Sequence, residues 1–379
     1  MIETILTEEQ KIFRQTLREF GKRDIEPHLK EYADKKGYPS ELAGKLAGIG
    51  VMGLTIPEEY GGIGGGTVDV VICMEELCRA GGFAPLTHLG ASRAISEYAS
   101  EGLKRKYLPP LATGEKLGAY AQTEPGAGSD ATAMRTTAVL EGDHYVVNGT
   151  KCFISNAEVA DVFVVLAKTD PSQRKGGISV FIVERDSPGL SVGKAEDKMG
   201  LDASPTNEIV FDNCIVPKDN LMVAEGEAFK LMMRSFNAER CGNSAACLGM
   251  AERAFERAFA YAQQREAFDR PIIRFQGIQW MFADMATQIE AARLLIYNAA
   301  WRIDRKLPSA KEAAMAKCFS NEMAQRVIND AMQIHGGYGY MQEYEVERLW
   351  RDARGLAFGG GTPQILRNRI AAELIRYTL

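Results

Sequence analysis

Residues 120–130, YAQTEPGAGSD, gather groups that can hold a planar or anionic ligand. Thr123 and Ser129 offer hydroxyl donors, and Gly126 and Gly128 leave the backbone open to close approach. Such a turn presents N–H and O–H groups together to a heterocycle or a phosphate. Its composition equally fits an ordinary polar loop. Other chemistry-bearing patterns are weaker. GGIGGG (61–66) follows no clear strand and precedes no Gly-Lys-Ser/Thr, so a flexible turn is expected there. His28, His88, His144 and His335 have neither i,i+4 spacing nor a cysteine at finger spacing, and no metal site is expected. Ser129 lies outside any G-x-S-x-G elbow, which leaves little support for a serine hydrolase.

The elements that must position residues 120–130 change character along the chain. Thr7 and Gln10 match a capping box, and Phe13, Leu17 and Phe20 follow at helical spacing. Gly and Pro interrupt at 57–66, and helical patterns resume to about residue 115. Residues 136–149 read as two strands around a Glu-Gly-Asp turn, and β-rich runs follow at 162–167, 178–183 and 207–212. From about 222 the helical period returns. Ile278, Phe282, Met285, Ile289, Ala292 and Ile296 form one stripe; Ala316, Phe319, Met323, Val327, Ala331 and Ile334 form another. Each gives its helix one apolar face, so the two helices should pack side by side. The fold class expected is α+β, with a helical domain at 1–117, a mostly antiparallel β domain at 118–221 and a helical bundle at 222–379.

A length of 379 residues suits two or three domains. The net charge of −5, with Lys and Arg dispersed, gives no reason to expect nucleic acid as a partner. No apolar run is long enough to span a bilayer, and the first residues lack a signal or transit pattern, so a cytoplasmic protein is expected. Seven cysteines without a C-x-x-C pair suit reduced thiols.

YAQTEPGAGSD (120–130) and QIHGGYGYMQEYEVERLWRDAR (333–354) resemble the two signatures of the acyl-CoA dehydrogenase family. NGTKCFISNAEVAD (148–161) and QQREAFDRPIIRFQGIQWMFADM (263–285) resemble the same family in the same order. The resemblance covers essentially the whole chain and has the helix–β–helix order read above. It implies FAD, a homotetramer built as a dimer of dimers, an acyl-CoA substrate and electron-transfer flavoprotein as acceptor. It also implies site residues. Tyr120, Gln122, Thr123, Gly128 and Ser129 would line the flavin and thioester region, with Ser129 also on the substrate. Phe153 and Ser155 would flank the isoalloxazine. Arg265, Phe268 and Gln276 would reach a neighbour's FAD, with Gln333 and Gly337 near its adenosine end. Thr362 and Gln364 would be C-terminal flavin contacts; Asn237, Arg240 and Gly359 would face the substrate, Arg240 on its CoA portion.

The family abstracts a thioester α-proton with a carboxylate, and a glutamate usually stands where this chain has Gly360. Gly360 can still offer its backbone N–H to the thioester carbonyl. The resemblance to isovaleryl-CoA and long-chain acyl-CoA dehydrogenases supplies the missing carboxylate: their glutamate sits one residue before the CoA arginine, as Glu239 does here. Glycines at 359 and 360 leave space for branching or for a wider acyl group, and a short or branched acyl-CoA is expected. Crotonobetainyl-CoA reductases and carrier-protein-linked acyl dehydrogenases look similar at these two positions. A flavin lyase or desulfinase of the same fold would be favoured by loss of both carboxylates. His88 and Arg93, in a segment near the acyl pocket of relatives, are expected on the surface.

Overall fold

Thr7 opens the first helix as its sequence predicts: its hydroxyl accepts from the Gln10 N–H, and the Gln10 side chain accepts from the Thr7 N–H, both at 3.2 Å. The computed structural model describes residues 5–35, 37–81 and 83–378. Its N-terminal third is helical: α1 Glu8–Phe20, α2 Leu29–Lys35, α3 Ser40–Gly48, α4 Thr67–Ala80, α5 Leu86–Tyr98 and α6 Glu101–Ala112. Helix α4 is buried nearly all round, as a central helix must be. The GGIGGG segment is a tight loop before it. A Cβ on Gly62 would meet the Ile56 carbonyl oxygen at 2.0 Å, so this glycine serves close backbone approach.

The middle third is one seven-stranded sheet: β1 Gly118–Ala121, β2 Thr137–Glu141, β3 His144–Ser155, β4 Val162–Lys168, β5 Ile178–Glu184, β6 Leu190–Ala195 and β7 Thr206–Pro217. The order is β1-β4-β2-β3-β7-β6, with β5 also pairing with β4. Most pairs are antiparallel, but β1 runs parallel to β4, with Tyr120 opposite Val164. Strands β4 and β5 are almost continuously buried, as their unbroken apolar runs require.

The last third holds α7 Ala228–Gln264, a short hairpin β8 Glu266–Ala267 and β9 Arg270–Pro271, α8 Gln276–Asp304, α9 Ala310–His335, α10 Val346–Leu356 and α11 Pro363–Thr378. Both expected stripes face the shared core of α7, α8 and α9, with Ile278 and Phe319 at its edge. That core continues into α1, α3 and α4, so the two helical regions share one apolar interior.

His88 and Arg93 depart from their expected surface placement. His88 is buried; its Nδ1 accepts the Gly118 N–H at 3.2 Å, and its Nε2 lies 3.0 Å from the Met52 carbonyl. The ring thereby joins α5 to the start of β1, and burial pushes its pKa down to about 4. Arg93 donates to Thr67 Oγ1 at 3.1 Å and to Glu97 at 2.7 Å, so its guanidinium is occupied within the helical region.

Candidate active site

Helix α7 carries Asn237, Glu239 and Arg240 into a corner closed by the link between α10 and α11. That link is Ala357–Gly361 followed by Thr362. Gly360 takes φ +67 and Gly361 φ +104, left-handed conformations that glycine adopts without a steric penalty. Their combined effect is a sharp reversal that sets the Gly360 Cα against α7. A Cβ built on Gly360 would stand 2.2 Å from Glu239 Oε2 and 2.9 Å from its Cδ and Oε1. The Glu239 carboxylate therefore occupies the space a side chain at 360 would enter. By contrast, a Cβ on Gly359 would meet nothing within 4 Å.

Glu239 Oε2 is buried and has no hydrogen-bond partner among the described residues. Burial pushes its carboxyl pKa up, while Lys317 and then Arg240 pull it back. An unpartnered, desolvated carboxylate oxygen is poorly stabilised as an anion and well suited to accept a proton. Tyr120, from β1, has its hydroxyl pushed up by burial and feels the charge of Glu239, so the β domain reaches the same corner. Arg240 is buried; its Nε donates to the Gly360 carbonyl at 3.1 Å, and Nη1 lies 3.4 Å from Asn237 Oδ1. Its head group thus holds the glycine link. Gly360 N–H donates to no acceptor among the described residues.

Beside this corner lies an open face. After β1 come Gln122, Thr123, Gly126, Gly128 and Ser129; Cβ atoms on Gly126 or Gly128 would meet nothing within 4 Å. The Cys152 N–H donates to the Thr123 carbonyl at 2.9 Å and ties the loop to β3. Next on β3, Phe153 is 69% exposed at φ +58, with Ser155 partly covered two residues on. Gln122 Oε1 is buried without a partner among the described residues. Uncrowded glycines, an outward aromatic ring and an orphaned acceptor fit an isoalloxazine and its diphosphate. Thr362 Oγ1 accepts from the Ile365 N–H at 3.4 Å and starts α11, leaving Gln364 exposed in its first turn.

The remaining cofactor candidates stand elsewhere. Arg265 follows the end of α7; at about 1.5 Å per residue, it lies on the order of 39 Å from Glu239 along the helix. Phe268, on the tip of the β8–β9 hairpin, is 89% exposed, and Gln276 begins α8 in the open. The Arg265 guanidinium sits 6.0 Å from the Tyr338 ring, next to exposed Gly337 and near the end of α9 that carries Gln333. Within one chain, then, Arg265, Phe268, Gln276, Gln333 and Gly337 form a group apart from Glu239 and Tyr120.

Four supporting residues escaped the sequence reading. Lys151 is fully buried; its Nζ donates to Glu124 Oε1 at 2.7 Å and to the Gln122 carbonyl at 3.1 Å. Glu124 in turn accepts the Arg135 and Thr136 N–H groups at 2.5 and 3.0 Å. This pair braces the open loop from behind. Lys317 and Asn321, both buried on α9, brace the glycine link. The only available signal was a charge or amide inside an otherwise apolar or turn-forming run.

Known proteins match this chain over nearly its whole length. The N-terminal, middle and C-terminal domains of acyl-CoA dehydrogenase match residues 7–115, 119–214 and 226–375. A Clostridium acetobutylicum protein named short-chain specific acyl-CoA dehydrogenase is 43% identical, covering 98% of this chain and 99% of that protein. The CarC subunit of the caffeyl-CoA reductase–Etf complex of Acetobacterium woodii is 41% identical, with 98% and 99% covered. The solved structure of butyryl-CoA dehydrogenase from Megasphaera elsdenii superposes with a TM-score of 0.93 at 38% identity, over 98% of this chain and 99% of that one.

Proposed function

The chain belongs to the acyl-CoA dehydrogenase family of oxidoreductases, and from that premise we propose that Glu239 is the base that opens α,β-dehydrogenation of a short or branched acyl-CoA. The observation that carries this reading is the unpartnered Glu239 carboxylate lying where a side chain at 360 would be. Glu239 Oε2 takes the α-proton of the thioester. The free Gly360 N–H donates to the thioester carbonyl and stabilises enolate character as the proton leaves. FAD, when bound, supplies the two-electron acceptor for the β-hydrogen. Tyr120, Gln122, Thr123, Gly128 and Ser129 hold its ring and diphosphate, Phe153 and Ser155 flank the ring, and Thr362 and Gln364 approach from α11. Ser129, Asn237, Arg240 and Gly359 face the acyl-CoA. Arg240 Nε also donates to the Gly360 carbonyl, so the same side chain helps to hold the link.

The distance from Glu239 to Arg265 supports a second copy completing the site. Arg265, Phe268 and Gln276 reach its flavin, with Gln333 and Gly337 at the adenosine end, in a homotetramer built from two dimers. The exposed Phe268 ring supports this, because a large apolar group at a hairpin tip is normally covered by a partner. Electrons pass on to electron-transfer flavoprotein. Among the described residues, no helix is long and apolar enough to cross a membrane.

A second reading keeps the site and reverses the direction, with Glu239 returning a proton to Cα of an enoyl-CoA. The observation favouring it is the 41% identity to a caffeyl-CoA reductase subunit. Purified protein decides between them. Under the first reading the yellow protein is bleached by butyryl-, isobutyryl- or isovaleryl-CoA. Under the second, dithionite-reduced protein is reoxidised by enoyl-CoAs while saturated acyl-CoAs leave it yellow. A colourless monomer that takes up no flavin contradicts both.

A further inference from the structure

Lys317 is fully buried on α9, and among the described residues none of the contacts made by its Nζ is with a carboxylate. Nζ donates to Asn321 Oδ1 at 2.9 Å, to the Leu356 carbonyl at 3.3 Å and to the Gly361 carbonyl at 3.2 Å. Burying an ammonium beside neutral oxygens is costly, so its retention calls for a gain elsewhere. Two of the three acceptors bracket the segment that contains Gly359 and Gly360. Helix α7 grips the same segment: Asn243 Nδ2 donates to the Leu356 carbonyl at 3.2 Å, and Arg240 Nε to the Gly360 carbonyl at 3.1 Å. Asn321 Nδ2 donates to Asn243 Oδ1 at 3.2 Å and closes the network. Asn243 lies four residues after Glu239, on the same helix face.

Among the described residues, the charged and titratable groups facing Glu239 are few. Arg240 and Cys241 come from its own helix, Lys317 from α9 and Tyr120 from β1, with Tyr98 behind Tyr120 and Arg369 of α11 acting on Arg240. Burial keeps the Tyr120 hydroxyl and the Cys241 thiol neutral. Lys317 is the larger of the two positive influences on the carboxylate; burial pushes its own pKa down, and the Glu239 charge works against that fall.

We propose that Lys317 is the positioning residue of this site: it pins the Leu356–Gly361 segment so that Gly360 leaves room for the Glu239 carboxylate, and it supplies the positive charge that faces that carboxylate from α9. The proposal rests on the reading of Glu239 as base. Lys317 touches neither acyl-CoA nor flavin in this role. Its amine donates to carbonyls on the far side of the link, and its charge acts through Glu239.

The test uses the FAD-loaded protein with Lys317→Met, Lys317→Gln and Lys317→Arg, beside Glu239→Gln. Flavin content, thermal midpoint, acyl-CoA KM and the rate of flavin reduction are followed across pH. The carboxyl stretch that disappears in Glu239→Gln is titrated separately by infrared difference spectroscopy. With Met or Gln, flavin stays bound and KM changes little. The infrared midpoint and the acid limb of flavin reduction both move up by about one pH unit, the effect of removing one nearby opposite charge. Lys317→Gln keeps a donor for the carbonyls and recovers more of the high-pH rate than Met. Lys317→Arg keeps the midpoint in place. If the midpoint stays fixed in the Met and Gln variants while Glu239→Gln has lost flavin reduction, Lys317 is a stability residue only and the proposal falls. Unfolding or flavin loss in both neutral variants likewise overturns it. If Glu239→Gln reduces its flavin normally, the base reading fails first and the proposal falls with it.

Discussion

Moving the carboxylate across the cavity tests the link between Gly360 and Glu239. In Gly360→Ala the new methyl would stand 2.2 Å from Glu239 Oε2, well inside any real contact. The conflicting atom ends a flexible side chain, so the carboxylate can swing aside at little cost in stability. The larger stability term is the backbone: a non-glycine residue at φ +67 costs about 1–2 kcal/mol. Function should suffer more, because a base aimed at one proton loses most of its worth when displaced. A positioned base contributes roughly 10²–10⁴-fold. Flavin reduction by acyl-CoA in Gly360→Ala should therefore slow by about 10²-fold, with FAD content unchanged. Gly360→Glu alone crowds two carboxylates together, and one takes up a proton. The pair Glu239→Gly with Gly360→Glu relieves both the crowding and the repulsion. It should reduce flavin faster than Glu239→Gly alone, below the parent rate because the strain at 360 remains. Single-turnover stopped-flow at matched FAD content reads the series. A Gly360→Ala protein with the parent rate and acyl range would refute the packing of Glu239 on Gly360. A double variant no better than Glu239→Gly would refute the idea that one cavity accepts the carboxylate from either side.

Three further outcomes are expected. Burial raises the Glu239 carboxyl above its ordinary value of 4.5, so the folded chain binds that proton more tightly than the unfolded chain. Its contribution to stability is complete at low pH and is lost as pH rises through the raised value; Glu239→Gln should thus have a higher thermal midpoint than the parent at neutral pH. The same sign applies to Glu252, where burial and then Glu75 push the carboxyl up against the pull of Arg293, which donates to it, and of Arg79; Glu252→Gln should flatten the fall in thermal midpoint on the alkaline side. Lys151→Met leaves Glu124 buried without its cation, which costs about 3–5 kcal/mol; calorimetry should show the lower midpoint, and flavin should dissociate more readily as the 122–129 loop loosens.

Legibility followed physical scale. The two long apolar stripes and the Thr7 capping box were plain in the sequence because helix period and end chemistry are local. Strands β4, β5 and β7 were equally plain as β-rich runs. Strand β1 was not, because four residues inside a glycine-rich motif carry little period, and its parallel partner lies more than forty residues away. His88 misled because a single histidine on a helix gives no sign that a distant N–H and carbonyl await it. At the site, Glu239 and Gly360 were singled out through family resemblance, but their packing required coordinates. Lys151 and Lys317 were missed for one reason: a lone lysine reads as exposed, and only the tertiary fold shows it buried with its donors used.

The central claim is that Glu239 takes the α-proton. Its most direct test is the rate of flavin reduction in Glu239→Gln, measured with saturating acyl-CoA and full FAD occupancy. Glutamine keeps the shape of the side chain and cannot accept the proton. The account requires intact flavin and acyl-CoA binding with reduction slowed by about 10²–10⁴-fold or more. Reduction at the parent rate would contradict it.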